Sequence, residues 1–145
     1  HLHSEKDRDQ CIAEAKRVCK KDGKLFFAFI TNDMVLLTEF MYQQDYFVTG
    51  DYDKDTFVLE NFPFVFYTVD QCREMLSAAK VRLLHTVAAD GASELLEDRI
   101  NEMDEENYAQ YLRYHFYICE KPEFLGMTNH LLCVGEKEDG TVCEK

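Results

Sequence analysis

The amino-acid sequence predicts an α/β fold, and three features carry that expectation. A capped amphipathic segment leads into the unbroken apolar run Leu25 to Ile30, LFFAFI. Helix-like and strand-like patterns keep alternating after it, as they do where strands are joined through helices. The run itself lacks the polar alternation of a half-exposed strand, so it predicts a strand covered on both faces.

The elements follow in order. Ser4 and Asp7 form an S-x-x-D capping pattern, and Glu5 and Asp7 suit the positive end of a helix. Cys11, Ile12, Ala15, Val18 and Cys19 share one face at helical spacing, with Lys16, Arg17, Lys20 and Lys21 toward the C-terminal end. Asp22-Gly23 then turns the chain into LFFAFI. Residues 33–44 read as a second helix with Met34, Leu37, Phe40 and Met41 along one side. Asp45 to Asp55 is aromatic, acidic and rich in turn formers, the composition of a loop or lid. Phe57 to Leu59 and Phe64 to Tyr67 read as extended arms of an inserted hairpin, with Pro63 limiting their pairing.

Thr68 and Gln71 form a T-x-x-Q capping box ahead of Cys72, Met75, Leu76 and Ala79. Val81 to Ala88 reads as a strand. Gly91-Ala92-Ser93 opens a helix carrying Leu95, Leu96, Ile100 and Met103. Asp104 caps the next helix, with Tyr108, Tyr111, Leu112, His115, Phe116 and Cys119 on its apolar face and Pro122 at its end. Asn129 to Gly135 reads as the last strand. The pattern makes one unit over 1–137, with 33–67 as an insertion and 138–145 as a polar tail. Leu25–Ile30 is expected at the centre of the sheet, flanked by Val81–Ala88 and Leu131–Val134.

Composition narrows the function classes. Apolar residues make up 46% of 145, enough for a core, and the formal charge is −12. A basic surface is what nucleic acids and anionic membranes attract, so neither is expected as a partner. No apolar run is long enough to span a bilayer. The Cys at 11, 19, 72, 119, 133 and 143 form no CxxC pair and no zinc spacing with His. They read as reduced thiols of a cytoplasmic protein with no metal site. No GxGxxG, P-loop, nucleophile elbow or HExxH is present.

The order of several short segments is informative. His1-Leu2-His3 runs into the capped helix, and Lys21-Asp22-Gly23-Lys24 precedes LFFAFI. Phe66-Tyr67-Thr68 leads into a helix and Val81, and Leu125-Gly126-Met127-Thr128-Asn129-His130-Leu131-Leu132 begins the last strand. Over about residues 1–137 this order resembles the C-terminal half of S-adenosylmethionine-dependent methyltransferases of the Rossmann-like class. The similarity is to the bacterial small-molecule group that includes ubiquinone-type enzymes. Asp22 stands where that family usually has Pro, and Lys80 where many members have a helix-ending Gly. A left-handed backbone at Lys80 is therefore expected. The family's Gly-rich loop after its first strand and its acidic ribose partner have no counterpart here.

The resemblance implies a fold: the fifth, sixth and antiparallel seventh strands of the family's sheet, the seventh lying between the other two. Ligands of such sheets bind at the carboxyl ends of the parallel strands. That implies a substrate edge where Thr31 and Asn32 leave one strand and Asn129 and His130 begin another. His130 would orient a small-molecule substrate or accept a proton. Tyr46, with Tyr42, Phe47 and Tyr52, would roof the site, or pack as a lid core. His1 and Leu2 match the family's cofactor-side segment, so they would touch S-adenosylmethionine in the intact protein. Without the other half, no cofactor is expected to bind this chain, and no catalytic residue is assigned.

The chain opens at His1 with a helix signal three residues on, which is read as a segment lying ahead of it. An exposed strand edge would then drive homo-oligomers through Phe26, Phe27, Phe29 and Ile30. The alternative is that residues 38–67 fold back over that edge. Two other functional readings stay open: a stand-alone α/β binding or interaction module, and a different enzyme, such as a hydrolase using His130.

Overall fold

The structure is a computed structural model that describes residues 1–60 and 63–138. Cys143 and all of the 138–145 tail but Glu138 lie outside that range. Helix α1 (Glu5–Val18) leads to β1 (Leu25–Thr31), then to α2 (Asn32–Tyr42) and the short α3 (Tyr46–Thr49). After β2 (Phe66–Tyr67) come α4 (Val69–Ala78), β3 (Val81–Ala88), α5 (Glu97–Asn101) and α6 (Glu105–Ile118). A 3-10 turn at Pro122–Phe124 precedes the last strand, β4 (His130–Lys137).

The strands form one four-stranded mixed sheet in the order β2-β1-β4-β3. Strand β4 runs antiparallel to both β1 and β3, so β1 and β3 are parallel to each other. The expectation that Val81–Ala88 flanks Leu25–Ile30 is therefore corrected, because β4 lies between them. The partner on the other side of β1 is β2, parallel and matched only at Ile30↔Phe66 and Thr31↔Tyr67. The inserted hairpin is corrected too. Phe66–Tyr67 joins the main sheet, Phe57 is left-handed at φ 58°, and Leu59 makes only an isolated bridge to Tyr52.

The core lies on one face of the sheet. Leu25, Val81, Leu131 and Cys133 meet Ile12 of α1, Cys72 and Leu76 of α4, and Leu125. Phe27, Phe29 and Leu83 pack around them. The opposite face is open: Phe26 is 64% exposed, Ala28 is exposed, and Leu132 and Val134 are half-buried. LFFAFI is thus buried on one face only, against the reading of its unbroken apolar run. Helices α1 and α4 both lie on the same side.

Local signals set the ends of the elements. Ser4 accepts from the Asp7 N–H, and Asp104 accepts from the Asn107 N–H. Thr68 and Gln71 make both bonds of a capping box on α4. Lys80 is left-handed at φ 55°, in the turn that joins α4 to β3. The helix read from Gly91 onward is much shorter than expected. Gly91 sits at φ 54°, residues 91–96 are turns, and only Glu97–Asn101 is α-helical. Helix α2 is rotated from its expected face: it buries Met34, Leu36 and Thr38, while Leu37, Phe40 and Met41 are exposed. On α6, Phe116 is 72% exposed and His115 is half-buried.

The segment read as a lid has its own small core. Leu36, Tyr46, Tyr52 and Leu59 are buried together, and the Tyr46 and Tyr52 rings stack at 6.0 Å.

Candidate functional site

Strands β1 and β3 end, and β4 begins, at one edge of the sheet. The register Ile30↔His130 and Ala88↔Leu131 fixes this. The edge is stitched by backbone bonds from Thr31 N–H to the Asn129 carbonyl (2.9 Å) and from Ala89 N–H to the His130 carbonyl (2.9 Å). Thr31, Asn129 and His130 are thereby brought together, and Asn32 follows directly on Thr31.

Their side chains have different work. Thr31 is 2% exposed and its hydroxyl donates to the Thr128 carbonyl. Asn129 is 6% exposed; its amide donates to Glu94, and its oxygen lies 3.1 Å from the Thr38 hydroxyl. Asn32 faces the lid, donating to the Phe57 carbonyl at 2.8 Å and accepting the Leu59 N–H at 3.0 Å. These three residues are scaffold. Tyr46 is not in the network: it is 4% exposed inside the lid core, and its hydroxyl is buried with no hydrogen-bond partner.

His130 is the candidate that faces solvent, its side chain 61% exposed. Its Nδ1 lies 2.7 Å from Asp90 Oδ2, and its backbone N–H donates to Asp90 Oδ1 at 3.1 Å. Asp90 stands two residues past the end of β3, on the same edge. Its other partner is the fully buried Thr128, whose hydroxyl donates to Asp90 Oδ1 and accepts the Gly91 N–H at 3.1 Å. Burial pushes the Asp90 carboxyl up, but the hydrogen bonds from Thr128 and from His130 outweigh it and hold the group below its ordinary 3.8. Sequence reasoning singled out His130 and missed Asp90, Thr128, Glu94 and Thr38. The available signal for Asp90 was positional: an Asp-Gly step directly after a strand, at the edge where ligands gather.

A second feature flanks β1. A cavity of about 350 Å³ is lined by His1, Leu2, Arg8, Phe27, Phe29 and Tyr67, among others. It lies beside the part of β1 that β2 does not pair. His1 and Leu2 are therefore far along the chain from the His130 edge, yet both line the flank of the same strand. A ribose diol calls for a carboxylate, and none lines this cavity; the guanidinium of Arg8 would repel a sulfonium. By themselves these residues do not fit S-adenosylmethionine. No group of His, Cys, Asp and Glu among the described residues is arranged to hold a metal ion. No described helix is long and apolar enough to cross a membrane.

No protein-family model matches the chain, and no curated protein matches it.

Proposed function

We propose that this chain is the substrate-side half of a small-molecule, S-adenosylmethionine-dependent methyltransferase, working with a cofactor-binding half that it does not itself contain. The observation that carries the reading is the sheet: a last strand running antiparallel between two mutually parallel strands, with Asn129 and His130 at the carboxyl edge. That arrangement is the one the motif order leads one to expect. Three further features support it. Helices α1 and α4, which precede β1 and β3, cover one face together. The flank of β1 beyond β2 has no strand partner among the described residues. Lys80 takes up the left-handed backbone of a helix-ending Gly.

A cofactor held by the other half would supply the activated methyl group, leaving this chain's residues to bind and orient the acceptor and to exclude water. In this reading Thr31, Asn129, Thr38 and Glu94 make a rigid edge, His130 faces the acceptor, and the lid around Tyr46 and Tyr52 shields it. Asp90, Glu94 and the net charge of −12 disfavour a polyanionic acceptor. The cofactor half would pair with the flank of β1 that β2 leaves open. The test is the coding sequence ahead of the His1 codon and the protein it yields. A strand, a Gly-rich turn and a helix there, with an acidic residue after the next strand, are expected. A different domain joined directly to His1 would overturn the proposal.

What favours a second reading, an interaction module without catalysis, is the set of exposed large apolar side chains on separate elements: Phe26 on β1, Phe40 on α2, and Phe116 and Tyr117 on α6. The same test separates the two readings.

A further inference from the structure

We propose that Asp90, clamped by Thr128, fixes His130 as a proton acceptor for a neutral ligand carrying a weakly acidic hydroxyl or thiol, an inference that rests on reading this edge as the substrate side. The geometry of the cluster carries it. An imidazole has two ring nitrogens, and a carboxylate beside one of them selects the tautomer with the proton there. Asp90 Oδ2 lies 2.7 Å from His130 Nδ1, so the proton sits on Nδ1 and the lone pair on Nε2. The carboxylate cannot swing away, because Oδ1 accepts from both the Thr128 hydroxyl and the His130 N–H. Thr128 is itself pinned by the Gly91 N–H and is fully buried. The other such pair, His85 with Glu120 at 2.9 Å, has both side chains more than half exposed and Glu120 free of such a clamp. A floating pair of that kind is an ordinary surface contact. The clamped one is a directed lone pair.

Its surroundings choose the ligand. His130 stands across from Ile30 on the open sheet face, at the end of a strip formed by Ala28, Leu132 and Val134. That strip suits an apolar or aromatic body. The charged groups bonded to this cluster are Asp90 and, through Asn129, Glu94, while Arg8 lines the cavity farther along β1. Asp90 and Glu94 both repel a carboxylate, which is already ionised and has no need of a base. A phenol or thiol is neutral near neutral pH and a poor nucleophile until it loses its proton. The Nε2 lone pair takes that proton; the O–H or S–H bonding electrons remain on the oxygen or sulfur as a nucleophilic pair. His130 becomes an imidazolium next to the Asp90 carboxylate and afterwards returns the proton to water.

The test is tautomer detection on the ¹⁵N-labelled chain by long-range proton–nitrogen correlation, under conditions where the imidazoles are neutral. His130 is expected to carry its proton on Nδ1, with His85 a mixture of both forms. In Asp90→Asn the Asn amide donates to Nδ1 instead, and the proton is expected to move to Nε2. A mixed tautomer at His130 in the unaltered chain overturns the proposal, as does an unchanged one in a folded Asp90→Asn. The ligand class is tested with 4-nitrophenol, followed by its phenolate absorbance, and 4-nitrobenzoate as the ionised control. More phenolate is expected with the unaltered chain than with His130→Gln at equal pH, and no difference in 4-nitrobenzoate binding. Equal phenolate in the two proteins, or preferential binding of the benzoate, overturns it. Neither readout involves the sulfonium cofactor, so this proposal and the methyltransferase reading fail separately.

Discussion

At the scale of single residues, the edge network is where substitutions are most informative. Thr128 is fully buried and serves Asp90, Gly91 and His130 at once. Thr128→Val keeps the shape but strips these bonds, and a loss of about 1–3 kcal/mol is expected in urea unfolding, since it strands buried polar groups. Asp90 gives a pH signature. Its carboxyl is held below the ordinary 3.8, so the charged form favours the fold. That contribution is fully present above the unfolded pKa and disappears as pH falls through the folded one. Asp90→Asn is therefore expected to be less stable than the parent at about pH 7, and the gap should close in strong acid. A constant gap across the range would contradict the assignment. Burial acts the other way on the thiols, raising Cys72 to about 12 and Cys133 to about 11. Both should stay unmodified by a thiol reagent at mild alkaline pH while exposed Cys11 reacts at once, as mass spectrometry would show. The place of His130 at the sheet edge was legible from the sequence, because the last strand was read from Asn129 onward and β4 does start at His130. Asp90 was not, because its role exists only once β3 and β4 are aligned.

Capping and turn chemistry were the most readable features at the scale of elements. Ser4, Thr68 and Asp104 all act as N-caps, since such bonds depend on residues a few positions apart. The left-handed backbone at Lys80 was expected from the resemblance, which puts a helix-ending Gly at that position, and the structure has it. A side chain there pays a steric cost at φ 55°, so Lys80→Gly is expected to stabilise the protein by about 1 kcal/mol, seen as a higher unfolding midpoint. Gly91→Ala should do the reverse. Its φ is +54°, and a Cβ would come within 3.2 Å of His115 Nδ1, so a loss of about 1–2 kcal/mol is expected. Long-range choices were less legible. The rotation of α2 is set by Thr38 reaching Asn129 and by Asn32 holding Leu59, contacts 91 and 27 residues apart in sequence. Its apolar periodicity alone points to the other side. Phe66–Tyr67 was read as extended, but its partner was misassigned, because pairing with β1 is a tertiary contact.

For the whole molecule, β3 forms one edge of the sheet, and at the other edge β2 pairs β1 only at Ile30 and Thr31. The unbroken apolar run LFFAFI was read as a strand buried on both faces, and the structure buries one. The periodicity of the run does not tell which face is covered, and α1 and α4 both lie on the side away from Phe26. Left open, the Phe26 surface should draw copies of the chain together. Light scattering is expected to show oligomers at tens of micromolar, and Phe26→Lys, at a position 64% exposed, should lower the mass without unfolding the chain. A monomeric parent whose mass and solubility are indifferent to Phe26→Lys would contradict this. If the chain is the substrate-side half proposed above, calorimetric titration with S-adenosylhomocysteine should give no heat of binding to residues 1–145 and saturable micromolar binding once the preceding encoded segment is joined to His1. Tight binding to the chain alone, or none to the joined protein, would contradict that reading.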